Sequence, residues 1–324
     1  MMRAVEYNDY GGPEVLHLTE VTKPVPKENE ILIKIIATTV TMADVRLRKA
    51  DPYLVKFMMG FWHPKNKTLG IEFSGIIESV GKDVKNYKVN DEVFGSAGFA
   101  FGTYAEYICI SEDGVIALKP ENISFQQAAA VTFGGLTALH FLRLGQIEKG
   151  KKILVYGASG NCGTAAVQLA RYFGAEVTGV CSTNNVELVK SIGGEKIIDY
   201  TNEDIGNYPD SFDIVFDTVG KSPFGKSVSS LKEKGYYLRL VHMNPAVVLA
   251  GFFTSLTKGK KVIGGTAVEK KEDLDFLRGL LISGDFIPVI DREFPIDKIS
   301  EAHTYVDTGR KKGSVVINVA RIAS

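Results

Sequence analysis

The chain has 324 residues, 45% hydrophobic and 23% charged, which suits a soluble globular protein of about two domains with ample buried core. Lys plus Arg and Asp plus Glu both number 38, so the sequence gives no electrostatic case for nucleic acid or an anionic membrane as a partner. Three cysteines without CxxC spacing, an opening MMRAVEYNDYGG without a signal-peptide core, and an apolar maximum at 246–256 that is too short to span a bilayer predict a reduced, cytoplasmic protein with no membrane span.

From Arg3 to about Pro120 the sequence reads as short strands separated by turns, with strand patterns at 31–37, 73–80 and 92–94 and turn chemistry at Gly11-Gly12-Pro13 and Gly81-Lys82-Asp83. Near Ser124 the composition shifts, and 125–144 becomes alanine-rich and helical, with Ser124 and Gln127 spaced as a capping box. A regular α/β alternation follows, with strands predicted at 153–156, 176–181, 196–199, 212–217, 236–241 and 261–264 and helices between them, at 186–192 and 224–231 for example. Beyond it lie a helix at 271–283 and a final strand at 314–319 that resembles the β-rich beginning. This order predicts an α/β protein: a discontinuous β-rich domain, 1–124 with 267–324, into which a doubly wound parallel-sheet domain, 125–266, is inserted.

The chemistry-bearing stretch is KILVYGASGNCGTAAVQLARYFGA at 152–175. A short apolar strand, the small-residue turn Gly157-Ala158-Ser159-Gly160 and an amphipathic helix give the context of a dinucleotide-binding fingerprint, although Ala158 stands at the first glycine of a strict GxGxxG. Gly160 lets the chain approach a pyrophosphate, Gly163 lets the helix pack on the strand, and the N–H groups of Asn161, Cys162 and Gly163 open the positive end of the helix. An NAD site places an acid about 20 residues beyond the turn. Here the second strand ends at Val180 and Cys181, Ser182, Thr183, Asn184 and Asn185 follow it, and the first acid, Glu187, is already in the next helix. A loop with polar side chains and no carboxylate predicts NADPH rather than NADH, with Ser182 or Thr183 also expected to cap the following helix.

The segments ATTVTMADVRLR (37–48), LGIEFSGIIESVG (69–81), KVNDEVFG (88–95), GTYAEY (102–107), GGLTAL (134–139) and GASGNCG (157–163) occur in the order that resembles the medium-chain dehydrogenase/reductase superfamily, specifically its zinc-free quinone oxidoreductase-like branch. The resemblance implies a GroES-like catalytic domain with an inserted Rossmann domain, and a homodimer formed through the edge strand at 261–264. It assigns Thr137 to the nicotinamide side, Tyr200 to the 2′-phosphate, and Val219, Gly265 and Thr266 to cofactor loops. A Lys or Arg usually stands where Asn184 is, a departure from the pattern. Thr41 and Ile71 occupy positions where zinc-dependent relatives carry metal ligands, so no zinc is expected.

Without a metal, the implied reaction is hydride transfer from NADPH to a small hydrophobic carbonyl or quinone, with Tyr53 as the donor to the carbonyl oxygen and Thr41 as a second donor. The apolar stretches 54–62 and 247–253 are expected to line a greasy pocket. Two other readings remain open at this point: a zinc-independent alcohol or aldehyde dehydrogenase, and a nucleotide-binding protein with little turnover.

Overall fold

The computed structural model describes residues 1–240, 254 and 259–320, the side chain of Met58 excepted. The apolar stretch 247–253 and His242 lie outside the described residues. In chain order the elements are β1 (Met2–Glu6), β2 (His17–Val21), β3 (Glu30–Val40), α1 (Met42–Lys49), α2 (Val55–Met59), β4 (Glu72–Val80), β5 (Glu92–Ser96), β6 (Tyr107–Ser111), β7 (Ile116–Leu118), α3 (Phe125–Ala129) and α4 (Thr132–Leu144). There follow β8 (Lys152–Tyr156), α5 (Asn161–Tyr172), β9 (Glu176–Cys181), α6 (Val186–Ser191), β10 (Lys196–Asp199), β11 (Phe212–Asp217), α7 (Phe224–Ser229), β12 (Leu231–Leu240) and β13 (Lys261–Gly265). The described chain ends with α8 (Lys271–Ser283), β14 (Ile290–Pro295), α9 (Ile299–Asp307) and β15 (Ser314–Asn318). The chain divides into one unit of residues 1–133, 270–283 and 288–324 and a second of 134–269 and 284–287.

The first unit is built on a seven-stranded sheet in the order β14-β15-β3-β4-β5-β7, with β6 also paired to β3. Alternate residues of β3, Ile31, Ile33 and Ile35, bury one face with Phe73 and Ile77 of β4 and Val315 and Ile317 of β15. The late strands therefore return to the early sheet, β15 pairing antiparallel with β3 from Val315↔Val40 to Asn318↔Ala37. Ser124 caps α3 as its spacing predicts: its hydroxyl accepts from the Gln127 N–H at 3.1 Å, and the Gln127 side chain accepts from the Ser124 N–H at 3.0 Å.

The helix expected over 125–144 is broken at Ala130–Val131. The Phe133 N–H donates to the Glu72 carboxylate at 2.6 Å instead of to a helical carbonyl, and the Ala130 carbonyl accepts from Ser314 at 3.1 Å. With α3 packed on β3, β4 and β15, the first unit runs to residue 133, past the boundary read at 124.

The second unit carries a six-stranded, wholly parallel sheet in the order β10-β9-β8-β11-β12-β13, the doubly wound arrangement. Leu154, Val180, Val215 and Tyr237 are fully or almost fully buried in it. The registers Tyr156↔Val180, Tyr156↔Asp217 and Asp217↔Arg239 align the carboxyl ends of four strands, so the loops after β8, β9 and β11 leave from one edge. β12 begins at Leu231, earlier than the predicted 236, because α7 stops at Ser229 and the chain enters the sheet through the irregular pairing beside Phe212. Gly163 lies where α5 crosses the turn after β8. A Cβ there would overlap the Gly157 carbonyl oxygen and come within 2.8 Å of the Ala158 Cα.

Two predictions follow from these contacts. Gly163→Ala is expected to lower the free energy of unfolding by about 1–3 kcal/mol in urea denaturation, because backbone has to move to admit the methyl group. The second concerns Asp44 of α1, which is fully buried and accepts from the Thr41 N–H at 2.9 Å, the Thr41 hydroxyl at 2.6 Å and the Gly70 N–H at 3.1 Å. Burial outweighs those hydrogen bonds and pushes its carboxyl up to about 6. The folded chain thus holds this proton to a higher pH than the unfolded one, so Asp44's contribution to stability falls as pH rises from about 4 to about 6. The stability difference between the native chain and Asp44→Asn, measured by denaturation at pH 4 and pH 7, is expected to favour the native chain more at pH 4, by up to about 3 kcal/mol.

Candidate functional site

The turn after β8 meets the requirements for holding an anion. Gly157 has φ +82°, and a Cβ there would lie 2.6 Å from Val219 Cγ1, so the turn closes under the β11 loop only because residue 157 lacks a side chain. Gly160 is the N-cap of the twelve-residue α5 and offers no side-chain cap. A Cβ on Gly160 would meet nothing nearer than 3.6 Å, so the space in front of the helix is open. The helix starts at Asn161 behind that uncapped glycine, and the first-turn N–H groups of a helix have no acceptor within the helix itself. An absent Cβ, an open helix N-terminus and small neighbours fit a pyrophosphate.

Gly134, at the start of the GGLTAL segment, approaches Asn161 so closely that a Cβ would lie 2.8 Å from its Cγ. That contact ties the beginning of α4 to the beginning of α5, and Thr137 follows on α4, 5% exposed.

Beyond the turn, the Asn185 Nδ2 donates to Ser159 Oγ at 3.0 Å and to Ser182 Oγ at 3.2 Å, joining the turn to the end of β9. Neither Ser182 nor Thr183 caps a helix through its side chain, which corrects that expectation: Ser182 is engaged by Asn185, and the Thr183 hydroxyl donates to Asp199 at 2.5 Å. Asp199 is the carboxylate that reading along the chain missed. It ends β10 directly beside Cys181 of β9, and hydrogen bonds from Thr183, Thr201 and Asn202 hold its carboxyl below the usual range. The register of a parallel pair brings it to the loop, a signal that separation along the chain does not carry. Asn184 and Tyr200 are exposed, and the Tyr200 N–H donates to the Cys181 carbonyl at 3.1 Å.

The loop after β11 is fixed by Asp217. Its fully buried carboxylate accepts from the N–H groups of Val219 at 3.2 Å, Gly220 at 2.8 Å and Ser222 at 3.1 Å, and from the Ser222 hydroxyl at 2.9 Å. Asp217 is therefore structural, and Val219 is what it presents to the glycine turn. Gly265 ends the edge strand β13, two strands away from β11 in the sheet, and Thr266 follows it.

In the first unit, Tyr53 is 59% exposed, set edge-on to Phe61 with ring centroids 6.2 Å apart and with Lys56 Nζ 4.9 Å from its ring centre. Phe57, Phe61 and Trp62 stand beside it in edge-to-face contact, and Trp62 is 79% exposed, whereas Met59 is buried against Ile71 and Phe101. Of the stretch 54–62, expected to line a greasy pocket, Met59 is thus buried while Phe57, Phe61 and Trp62 are exposed. Thr41 is the N-cap of α1 and is buried; its hydroxyl accepts from the Asp44 N–H and donates to the Asp44 carboxylate. That commitment removes its proton from service as a second donor.

A family model described as alcohol dehydrogenase GroES-like domain matches residues 27–120, and one described as zinc-binding dehydrogenase matches 192–317. The chain is 37% identical to 2-methylene-furan-3-one reductase of Solanum lycopersicum and 34% identical to the chloroplastic NADPH-dependent alkenal/one oxidoreductase of Arabidopsis thaliana, each match covering 98% of this chain and 79% of the relative. Among solved structures, the quinone oxidoreductase of Coxiella burnetii is 30% identical, with a TM-score of 0.89, over 98% of this chain and 99% of that one. By its parallel-sheet unit, its GroES-like unit and these relatives, the chain belongs to the medium-chain dehydrogenase/reductase superfamily, in its quinone oxidoreductase-like branch.

Proposed function

We propose that the protein is an NADPH-dependent reductase of quinones and α,β-unsaturated carbonyls. The observation that carries this reading is the open N-terminus of α5 beside the Ser159–Asn185–Ser182 cluster, a set of hydrogen-bond donors without a carboxylate of its own. The names of the tomato and Arabidopsis relatives, a reductase of a methylene-furanone and an alkenal/one oxidoreductase, support the same substrate class.

NADPH, when bound, supplies the hydride. The residues of this chain hold and orient: the first turn of α5 takes the pyrophosphate, Asp217 fixes the loop that carries Val219, and Tyr53 donates a hydrogen bond to the acceptor's carbonyl oxygen, drawing electrons away from the carbon that receives the hydride. For an enone the hydride adds to the β-carbon, and a proton from solvent completes the reduction at the α-carbon. The metal-free form of this reading rests on two side chains. Thr41 is a buried helix cap, and Ile71 is a buried hydrocarbon, so neither presents a ligand at the positions where the resemblance expects them. The exposed Phe57, Phe61 and Trp62 favour a bulky apolar acceptor. A homodimer paired through edge strand β13 and residence in the cytoplasm complete the proposal; among the described residues no helix is long and apolar enough to cross a membrane.

Steady-state NADPH oxidation with a panel of enones and quinones tests the reading. Turnover with at least one class is expected, and cofactor binding without oxidation by any acceptor would favour the non-catalytic alternative. Tyr53→Phe is expected to lower kcat/KM for the acceptor by about 100-fold while leaving the NADPH Kd unchanged. Trp62→Ala is expected to raise the acceptor KM, and an unchanged KM would count against the apolar acceptor.

A further inference from the structure

We propose that Asn185 is the positioning residue that sets the nucleotide preference of this chain. It holds the Ser159 and Ser182 hydroxyls so that both turn their protons toward a 2′-phosphate. The inference rests on the reading that the second unit binds a nicotinamide dinucleotide, and it goes beyond that reading by assigning selection to a residue that no fingerprint marks.

The argument is one of donors and acceptors. An amide nitrogen can only donate, and it carries two hydrogens. Asn185 Nδ2 uses one toward Ser159 Oγ at 3.0 Å and the other toward Ser182 Oγ at 3.2 Å, so both hydroxyl oxygens act as acceptors and each keeps its own proton for a further partner. The reverse orientation of the amide would draw those protons inward and leave a buried NH₂ without a partner. In the orientation found, the atom left unpaired in the interior is the carbonyl oxygen, Oδ1. Unpaired buried carbonyls are tolerated better than unpaired donors, which favours the arrangement that points the hydroxyl protons outward.

The two serines come from different places: one from the pyrophosphate turn, the other from the end of the neighbouring strand, where the ribose of a dinucleotide lies in this fold. A phosphate accepts from such donors, whereas the ribose 2′-hydroxyl of NADH is better served by a carboxylate. The nearby carboxylate, Asp199, is reached through Thr183 and is saturated by Thr183, Thr201 and Asn202, so it stands outside the pair. Lys190, the first basic residue along α6, is engaged with Glu187 at 3.0 Å. Selection therefore works through hydroxyl and amide geometry.

The test is fluorescence titration of NADPH and NADH against the native chain, Asn185→Asp, Asn185→Ala and the double variant Ser159→Ala/Ser182→Ala, with thermal melts to confirm folding. Native protein is expected to bind NADPH at least about tenfold more tightly than NADH. Asn185→Asp keeps the size of the side chain but only accepts, so it draws both serine protons inward and adds a negative charge. It is expected to weaken NADPH by about 30-fold or more while NADH stays within about threefold, reversing the preference. The alanine variants are expected to lose NADPH affinity selectively, by about tenfold. Equal weakening of both nucleotides in the folded Asn185→Asp variant would overturn the inference while leaving the dinucleotide reading intact, as would a native chain that binds both equally. A native chain that binds neither would overturn both.

Discussion

The second unit depends on the contact between α5 and the end of β8, where there is no room for one methyl group. With glycine at 163 the helix lies against the Gly157–Ala158 backbone, and its first turn opens at the sheet edge where the loops after β9 and β11 also leave. A helix held farther off would aim its first turn past those loops. Gly157 and Gly160 then divide the remaining tasks. Gly157 supplies the positive φ and the gap that Val219 covers; Gly160 leaves the space ahead of the helix clear. Three glycines thus do three different things.

The first unit is constrained by charge in its interior. Arg48 of α1 is fully buried, its Nη2 donating to Asp307 of α9 at 2.8 Å, and Asp307 also pairs with Lys49 at 2.5 Å. A cation sealed in this way sets the state of its neighbours: burial and the Arg48 charge push His303 down to about 3, so it is neutral over the physiological range. His303 Nε2 lies 3.2 Å from the Tyr104 hydroxyl, and Tyr104 in turn hydrogen-bonds Asp44, which accepts from the Thr41 hydroxyl. A polar chain therefore runs through the hydrophobic core from α9 to α1, which explains why Thr41 is unavailable for chemistry. Its hydroxyl completes the chain.

Much of the fold was legible from periodicity. The strands at 153–156, 176–181, 196–199, 212–217 and 261–264 appear within a residue or so of their expected limits, because buried parallel strands are continuous apolar runs bounded by turn residues. The misses share a cause. The break at Ala130, the reach of Asp199 to Thr183 and the bridge made by Asn185 are all side-chain hydrogen bonds between segments distant in sequence or lying on neighbouring strands. Local pattern reports what a residue tends to do with its neighbours in the chain. It carries nothing about a partner supplied by sheet register. The exposed aromatic group around Phe61 fails for a related reason: hydrophobic density along the chain predicts burial, yet α2 is only five residues long and has one face to bury.

The clamp between Ser159 and Ser182 has a bearing on the conditions under which the protein works. A site that captures a phosphate with lysines or arginines loses grip as ionic strength rises, because mobile ions screen full charges within about 10 Å at 0.1 M salt. Here the groups presented are two hydroxyls held in place by an amide, dipoles whose influence falls off over a bond length or two and is screened far less. Discrimination between the two nucleotides set by shape and proton placement, as proposed for this chain, would hold across swings in salt concentration that blunt a charged pocket.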